Sequence, residues 1–292
     1  MSSFVRNLHA ASPGLALEGK RSDMRVLFLG DIVGRPGYSA VKEHLPNIRR
    51  ERMIDFVVAN AENAADGSGL TERQFKGLIE AGVNAITMGD HIYKKMELKA
   101  ILERDPRIVK PANYPESAPG RAWTVLRSVP ANKSQPVVEV AVVSLMGRVY
   151  MRPVDCPFAA ADRVLSEIPD EVKICIVDIH AEATSDKQLI GYYLDGRVSA
   201  VLGTHTHVPT ADTKLLPGGT AYQTDAGMSG PYDGVIGRDV ERVMLTTLSF
   251  EPCHFHVATN DVRLCGAIID IDPNTGLATA IERFEFACET KR

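Results

Sequence analysis

Apolar residues along this chain fall into short runs, each closed by glycine or by polar residues. Val26-Leu27-Phe28-Leu29, Phe56-Val57-Val58-Ala59, Val83-Asn84-Ala85-Ile86, Ile174-Cys175-Ile176-Val177 and Val198-Ser199-Ala200-Val201-Leu202 read as buried strands. Between the first of these the spacing predicts a helix from about 37 to 52, with Pro36 at the first helical position. Further helices are predicted over 72–81, with Thr71 as N-cap, and over 94–104. This β-α-β-α-β-α order predicts an α/β fold in which helices cover a central sheet.

The middle of the chain changes character. Segments 122–129 and 137–145 are β-rich, and the polar stretch Pro130-Ala131-Asn132-Lys133-Ser134-Gln135-Pro136 predicts an antiparallel hairpin between them. A helix near 159–168 precedes a return of the strand–loop pattern at 173–177 and 198–202. Strands are expected at 255–258, 262–270 and 278–286, with Asp272-Pro273-Asn274-Thr275-Gly276 as a turn. Residues 1–23 carry no helical or strand period and read as an extension, Met24 opening the first strand. Candidate ligand loops run from 31 to 207, so 24–292 is read as one domain.

Composition narrows the function classes. Hydrophobic content of 45% and charged content of 24% are those of an ordinary soluble globular protein. The formal net charge of -4 argues against an extended nucleic-acid surface. A small anionic substrate stays open, because bound metal ions can dominate the local field. No apolar stretch reaches the roughly 20 residues that cross a bilayer, so no membrane association is expected. Cys156, Cys175, Cys253, Cys265 and Cys288 are an odd, scattered set without a C-x-x-C pair, as expected of reduced thiols in a cytoplasmic protein.

The candidate chemistry lies just past the strand ends. Asp31 sits between glycines after the first, where the backbone can turn and leave it on the rim. Glu62 with Asn63 closes the second, and Asp90 with His91 the third. His180 closes a fourth, and Asp178 or Glu182 is placed to accept its spare ring proton. Gly203-Thr204-His205-Thr206-His207 is the strongest local signal: in extended chain His205 and His207 project to one side, which suits a metal ion. C-terminal strand ends of a layered α/β sheet share one rim, and carboxylates with imidazoles gathered there supply the donors of a two-metal site. His254 and His256 read as strand residues, and His9 and His44 as surface positions.

These residues resemble the calcineurin-like binuclear metallophosphoesterases, and within them the YmdB-like family. The resemblance rests on Met24-Arg25-Val26-Leu27-Phe28-Leu29-Gly30-Asp31-Ile32-Val33-Gly34, Asn60-Ala61-Glu62-Asn63, Ile86-Thr87-Met88-Gly89-Asp90-His91, Pro111-Ala112-Asn113-Tyr114-Pro115, Asp178-Ile179-His180-Ala181-Glu182, Gly203-Thr204-His205-Thr206-His207 and Gly227-Met228-Ser229-Gly230-Pro231. It implies a four-layer α/β/β/α sandwich, an iron or manganese pair, a homo-oligomer, and hydrolysis of a small phosphodiester, 2′,3′-cyclic nucleotides being the expected substrate. Carried over by position, Asp31 and His207 would hold one metal, Asp90, His180 and His205 the other, and Glu62 would bridge them. His91 would be the catalytic histidine, with Asn63 beside the substrate phosphate. The expected nucleophile is a hydroxide bridging the two ions. The residues leave open a phosphomonoesterase acting on nucleotides, or a metal-bound regulatory protein with vestigial activity. At position 90 the family pattern has asparagine where this chain has aspartate; the extra charge is expected to tighten metal binding, or to favour a trivalent–divalent pair, and to weaken attraction for phosphate.

Overall fold

Successive residues in the buried strands face different apolar layers, and this alternation organises the molecule. The structure is a computed structural model and describes residues 22–132 and 135–288. Most of the expected extension, residues 1–21 with His9, and the hairpin-tip residues Lys133 and Ser134 lie outside the described residues.

In chain order the elements are β1 (Met24–Leu29), β2 (Asp31–Ile32), α1 (Gly34–Glu51), β3 (Phe56–Asn60), α2 (Glu72–Glu80), β4 (Ala85–Thr87), α3 (Leu98–Arg104) and β5 (Ile108–Val109). The hairpin strands β6 (Trp123–Arg127) and β7 (Glu139–Met146) come next, then α4 (Pro157–Glu167), β8 (Ile174–His180), α5 (Thr184–Tyr193) and β9 (Ala200–Thr204). The remainder is β10 (Lys214–Leu215), β11 (Ala221–Gln223), β12 (Met228–Pro231), α6 (Val240–Ser249), β13 (Val262–Ile271) and β14 (Ala278–Ala287).

Two sheets result. The first runs β2-β12-β13-β1-β3-β4-β5, with β14 also paired to β13. The second runs β10-β11-β9-β8-β7-β6. β1, β3, β4 and β5 are mutually parallel, as are β11, β9, β8 and β7. Val26 and Phe28 of β1, Phe56 and Val58 of β3, Val140 and Val142 of β7, and Ile174 and Ile176 of β8 meet in one apolar cluster between the sheets. Their neighbours turn outward. Leu27, Leu29, Val57 and Ala59 pack under Val41 and Leu45 of α1, Phe75 of α2 and Leu102 of α3. Ala141, Val143, Cys175 and Val177 pack under Val164 of α4 and Ile190 of α5. Strands buried on both faces explain the unbroken apolar runs, and the stacking is consistent with the expected α/β/β/α layering.

Several local expectations change. α1 begins at Gly34, whose φ is 61°, so Pro36 is its third residue rather than its first. Turns occupy 91–97, and α3 starts only at Leu98. The segment 255–258 is not a strand: only Val257 pairs, with Arg238, and His254 and His256 are exposed loop residues. His44 is half-buried, with its ring beside Phe286. Thr71 does cap α2, accepting from the Gln74 backbone in a reciprocal capping box. The 122–129 and 137–145 pairing is antiparallel as expected. Among the described residues no helix is long and apolar enough to cross a membrane, and the five cysteines are unpaired.

Candidate metal centre

The C-terminal ends of β1, β3, β4, β8 and β9 converge at one rim, and the six expected donors meet there. One ligand atom from each of Glu62, Asp90, His180 and His205 lies within 4.8 Å of the others. Glu62 Oε1 is 3.1 Å from His180 Nε2, and Asp90 Oδ1 is 3.2 Å from the same nitrogen. On the other side His207 Nε2 is 3.7 Å from Asp31 Oδ1. The Asn63 amide joins the halves, Nδ2 lying 3.3 Å from Asp31 Oδ1, 3.3 Å from His207 Nε2 and 3.5 Å from Glu62 Oε1. Asp31 is buried rather than exposed on the rim, because Asp31 starts β2 and pairs beside Met228 of β12. Its Oδ2 accepts the His205 backbone N–H at 2.9 Å.

What turns these side chains inward is the partner of each outer nitrogen. Asp178 is buried between the sheets and accepts from Asn60 Nδ2 at 3.0 Å, Thr87 Oγ1 at 2.5 Å and Thr204 Oγ1 at 2.6 Å. Burial pushes its carboxyl up to about 6, against the charge of His180 and the hydrogen bonds of these three donors, which favour the ionised form. The Thr204 hydroxyl, having given its proton to Asp178, accepts from His180 Nδ1 at 2.8 Å. His205 Nε2 donates to Glu182 Oε2 at 3.2 Å, and His207 Nδ1 to the Ile236 carbonyl at 2.9 Å. Each of the three rings therefore commits one nitrogen to an outer acceptor and turns the other toward the carboxylates, an orientation that suits metal-ligating imidazoles. The acceptor expected directly on His180 is thus relayed through Thr204, and Glu182 serves His205 instead.

The reason His205 and His207 meet the cluster also differs from the expectation. They are not in extended chain: β9 ends at Thr204, and both have left-handed φ, 91° and 67°. His205 Nδ1 faces His180 Nε2 at 3.0 Å and Asp90 Oδ1 at 3.5 Å, whereas His207 faces Asp31. The H-x-H spacing delivers one imidazole to each half.

Charge follows from this packing. Burial alone would raise Asp31, but the facing His207 charge and hydrogen bond, with His180, hold it well below the usual carboxylate range. Asp90 is likewise depressed, burial being overcome by hydrogen bonds to His180 and His205. Burial works against protonation of His180 and His207, yet Glu62 and Asp90 around the first, and Asp31 beside the second, raise both above the ordinary imidazole range. Carboxylate oxygens and inward imidazole nitrogens in this number fit a pair of divalent first-row cations.

His91 closes the cluster over Asn63. Its Nδ1 lies 2.7 Å from Asn63 Oδ1, and its backbone N–H donates to Glu62 Oε2 at 3.0 Å. The side chains of His91, Asp90 and His205 are 28%, 25% and 23% exposed, whereas those of Glu62 and His180 are fully buried. The cluster is therefore open to solvent on the side lined by His91, Asp90 and His205. Thr204, Asn60 and Thr87 escaped sequence reasoning, since nothing in a lone threonine or asparagine marks its partner. Lys187 and Asp225, buried behind the His205–His207 loop, escaped it too. The signal for Lys187 was its place on the apolar face of α5 with Ile190 and Gly191.

The fold has relatives among solved structures. Over 91% of its length the chain superposes on the calcineurin-like phosphoesterase YfkN from Bacillus subtilis, covering 90% of that chain with a TM-score of 0.53 at 13% identity, a likeness of fold. The clustered side chains of Glu62, Asp90, His180 and His205 form a candidate site for a metal ion. The model of the YmdB-like protein family matches residues 27–284, and the chain belongs to that family. It is 46% identical over 260 residues to the 2′,3′-cyclic-nucleotide 2′-phosphodiesterase of Bacillus subtilis (strain 168), covering 89% of this chain and 96% of that protein. The crystal structure of a hypothetical protein from Thermus thermophilus superposes with a TM-score of 0.82 at 42% identity, covering 90% of this chain and 99% of that one.

A cation taken up here would compete with a proton for the inward nitrogens of His180 and His207. Both rings hold their protons above the ordinary range, so metal uptake would release protons and tighten as pH rises. Titration of metal-stripped protein with Mn²⁺ should give weaker binding at about pH 6 than at about pH 8. Calorimetry in buffers of different ionisation enthalpy should register the released protons.

Proposed function

We propose that this protein is a metal-dependent phosphoric diester hydrolase acting on a small phosphodiester, 2′,3′-cyclic nucleotides being the substrate. The observation that carries the reading is the set of three imidazoles, each with its outer nitrogen engaged and its inner one turned into three carboxylates. Asp31, His207 and Glu62 would hold one ion, and Glu62, Asp90, His180 and His205 the other, iron or manganese suiting this mixture of oxygen and nitrogen donors. When bound, the ions supply Lewis acidity to a phosphoryl oxygen and make water a nucleophile near neutral pH. The substrate class is supported by the 46% identical relative named for that activity.

The chain's own residues complete the chemistry. Asn63 lies between the two halves, its amide within reach of a phosphoryl oxygen resting there. His91 donates Nδ1–H to Asn63 Oδ1, which fixes the ring and leaves Nε2, 3.6 Å from Asp90 Oδ2, at the exposed edge. From that edge His91 would protonate the departing ribose oxygen or hydrogen-bond the phosphoryl group. Buried Glu62 and His180 form the floor, so the diester would meet the cluster from the His91 side. Unpaired thiols support a reducing, cytoplasmic setting, and the enzyme would work there as a homo-oligomer.

Purified protein should contain about two metal ions per chain and hydrolyse 2′,3′-cyclic AMP in preference to a nucleoside monophosphate. Metal-replete protein inert toward the cyclic diester would overturn the reading. His91→Ala should keep both metals and lose about 10²–10⁴-fold in turnover; unchanged turnover would remove His91 from the mechanism. Asp90→Asn should weaken metal retention and strengthen phosphate binding, read as lower metal content after chelator dialysis and a lower inhibition constant for inorganic phosphate.

A further inference from the structure

We propose that the buried Lys187–Asp225 pair is a positioning device that sets the His205-Thr206-His207 loop and so holds both halves of the donor cluster at one spacing. The inference rests on the metal-centre reading above. Lys187 lies on the buried face of α5 and is only 1% exposed. Its Nζ donates to Asp225 Oδ2 and to Thr206 Oγ1, each at 2.8 Å. Thr206 closes the triangle, donating to the same carboxylate oxygen through its hydroxyl at 2.5 Å and its backbone N–H at 3.1 Å. Thr206 is the residue between the two histidines, so three hydrogen bonds grip the centre of the loop from behind.

Two further observations say what the grip is for. His205 and His207 both hold left-handed backbone, costly for residues with a Cβ and stable only where surrounding contacts over-determine it. Thr206 supplies those contacts from between them. Asp225 also reaches the other half of the cluster: its Oδ1 accepts the Gly227 backbone N–H at 2.7 Å, and Gly227 leads into β12, whose Met228 pairs beside Asp31. One carboxylate thus fixes the loop that sends His205 toward Asp90 and His207 toward Asp31, together with the strand flanking Asp31. Stability alone does not account for a buried lysine here, because apolar residues of similar volume commonly replace a buried ion pair at no loss. Orientation does.

The test uses the full-length protein, stripped of metal and titrated with Mn²⁺ alone. Thr206→Val removes the hydroxyl and keeps the Lys187–Asp225 pair; Lys187→Met with Asp225→Asn removes the pair without leaving a lone buried charge. Both should weaken the two Mn²⁺ sites together by about 10–100-fold and alter the exchange-coupled electron paramagnetic resonance signal of the Mn²⁺ pair. Thr206→Ser, which restores the hydroxyl, should recover affinity and signal. Thermal unfolding of metal-free Thr206→Val should show a folded protein, separating loop release from unfolding. A Thr206→Val isotherm and signal that superimpose on wild type, or a loss confined to one ion, would overturn the inference while the metal-centre reading stands. Wild-type protein that takes up no Mn²⁺ would overturn that reading and the inference with it.

Discussion

A single buried carboxylate ties the two sheets together beneath the rim. Asp178 belongs to β8 of the second sheet, yet Asn60 of β3 and Thr87 of β4, both in the first, donate to it. Thr204 of β9 donates from its own side. An ionised carboxyl in the apolar space between sheets would be costly alone; with donors from three other strands it becomes a satisfied network that specifies register. The apolar cluster around Val58, Val142 and Ile176 drives the sheets together, but apolar contact tolerates sliding. Donors arriving from both sheets at Asp178 do not. Through Thr204 the same network decides which nitrogen of His180 faces the cluster.

The centre is built as concentric shells. Innermost stand Asp31, Glu62, Asp90, His180, His205 and His207. Around them Thr204, Glu182 and the Ile236 carbonyl each hold one ring by its far nitrogen. Outside those, Asp178 holds Thr204, and Lys187 with Asp225 holds Thr206. His91, Asp90 and His205 are the most exposed side chains around the cluster and line its open side.

The donors were legible in the sequence because each follows a strand that is itself legible. Apolar runs such as Val26–Leu29 and Phe56–Ala59 announce themselves, and although a single carboxylate past such a run often only caps a helix, five such loops together with the His205 and His207 pair point to one cluster. The hairpin and the capped α2 were readable for similarly local reasons. What stayed hidden is what depends on distant partners. β2 holds only Asp31 and Ile32 and exists because β12 pairs with it. α5 was obscured by Lys187, a charge on an apolar face that makes sense only once Asp225 is beside it. α6, which buries no residue, was not foreseen. The H-x-H pair was noticed for its spacing, but its geometry comes from two left-handed residues, which no periodicity foretells.

The position of β13 has a consequence for biosynthesis. It lies in the interior of the first sheet, between β12 and β1, yet its residues, Val262–Ile271, come near the end of the chain. A growing polypeptide therefore carries β1 with one flank unpaired until the segment beginning at Val262 emerges. Pairings between opposite ends of a sequence are slow to form, and exposed strand flanks invite association with other chains. Closure of the first sheet thus waits on synthesis of residues 262–271, and a ribosome stalled anywhere before residue 262 holds a nascent chain whose first sheet cannot close.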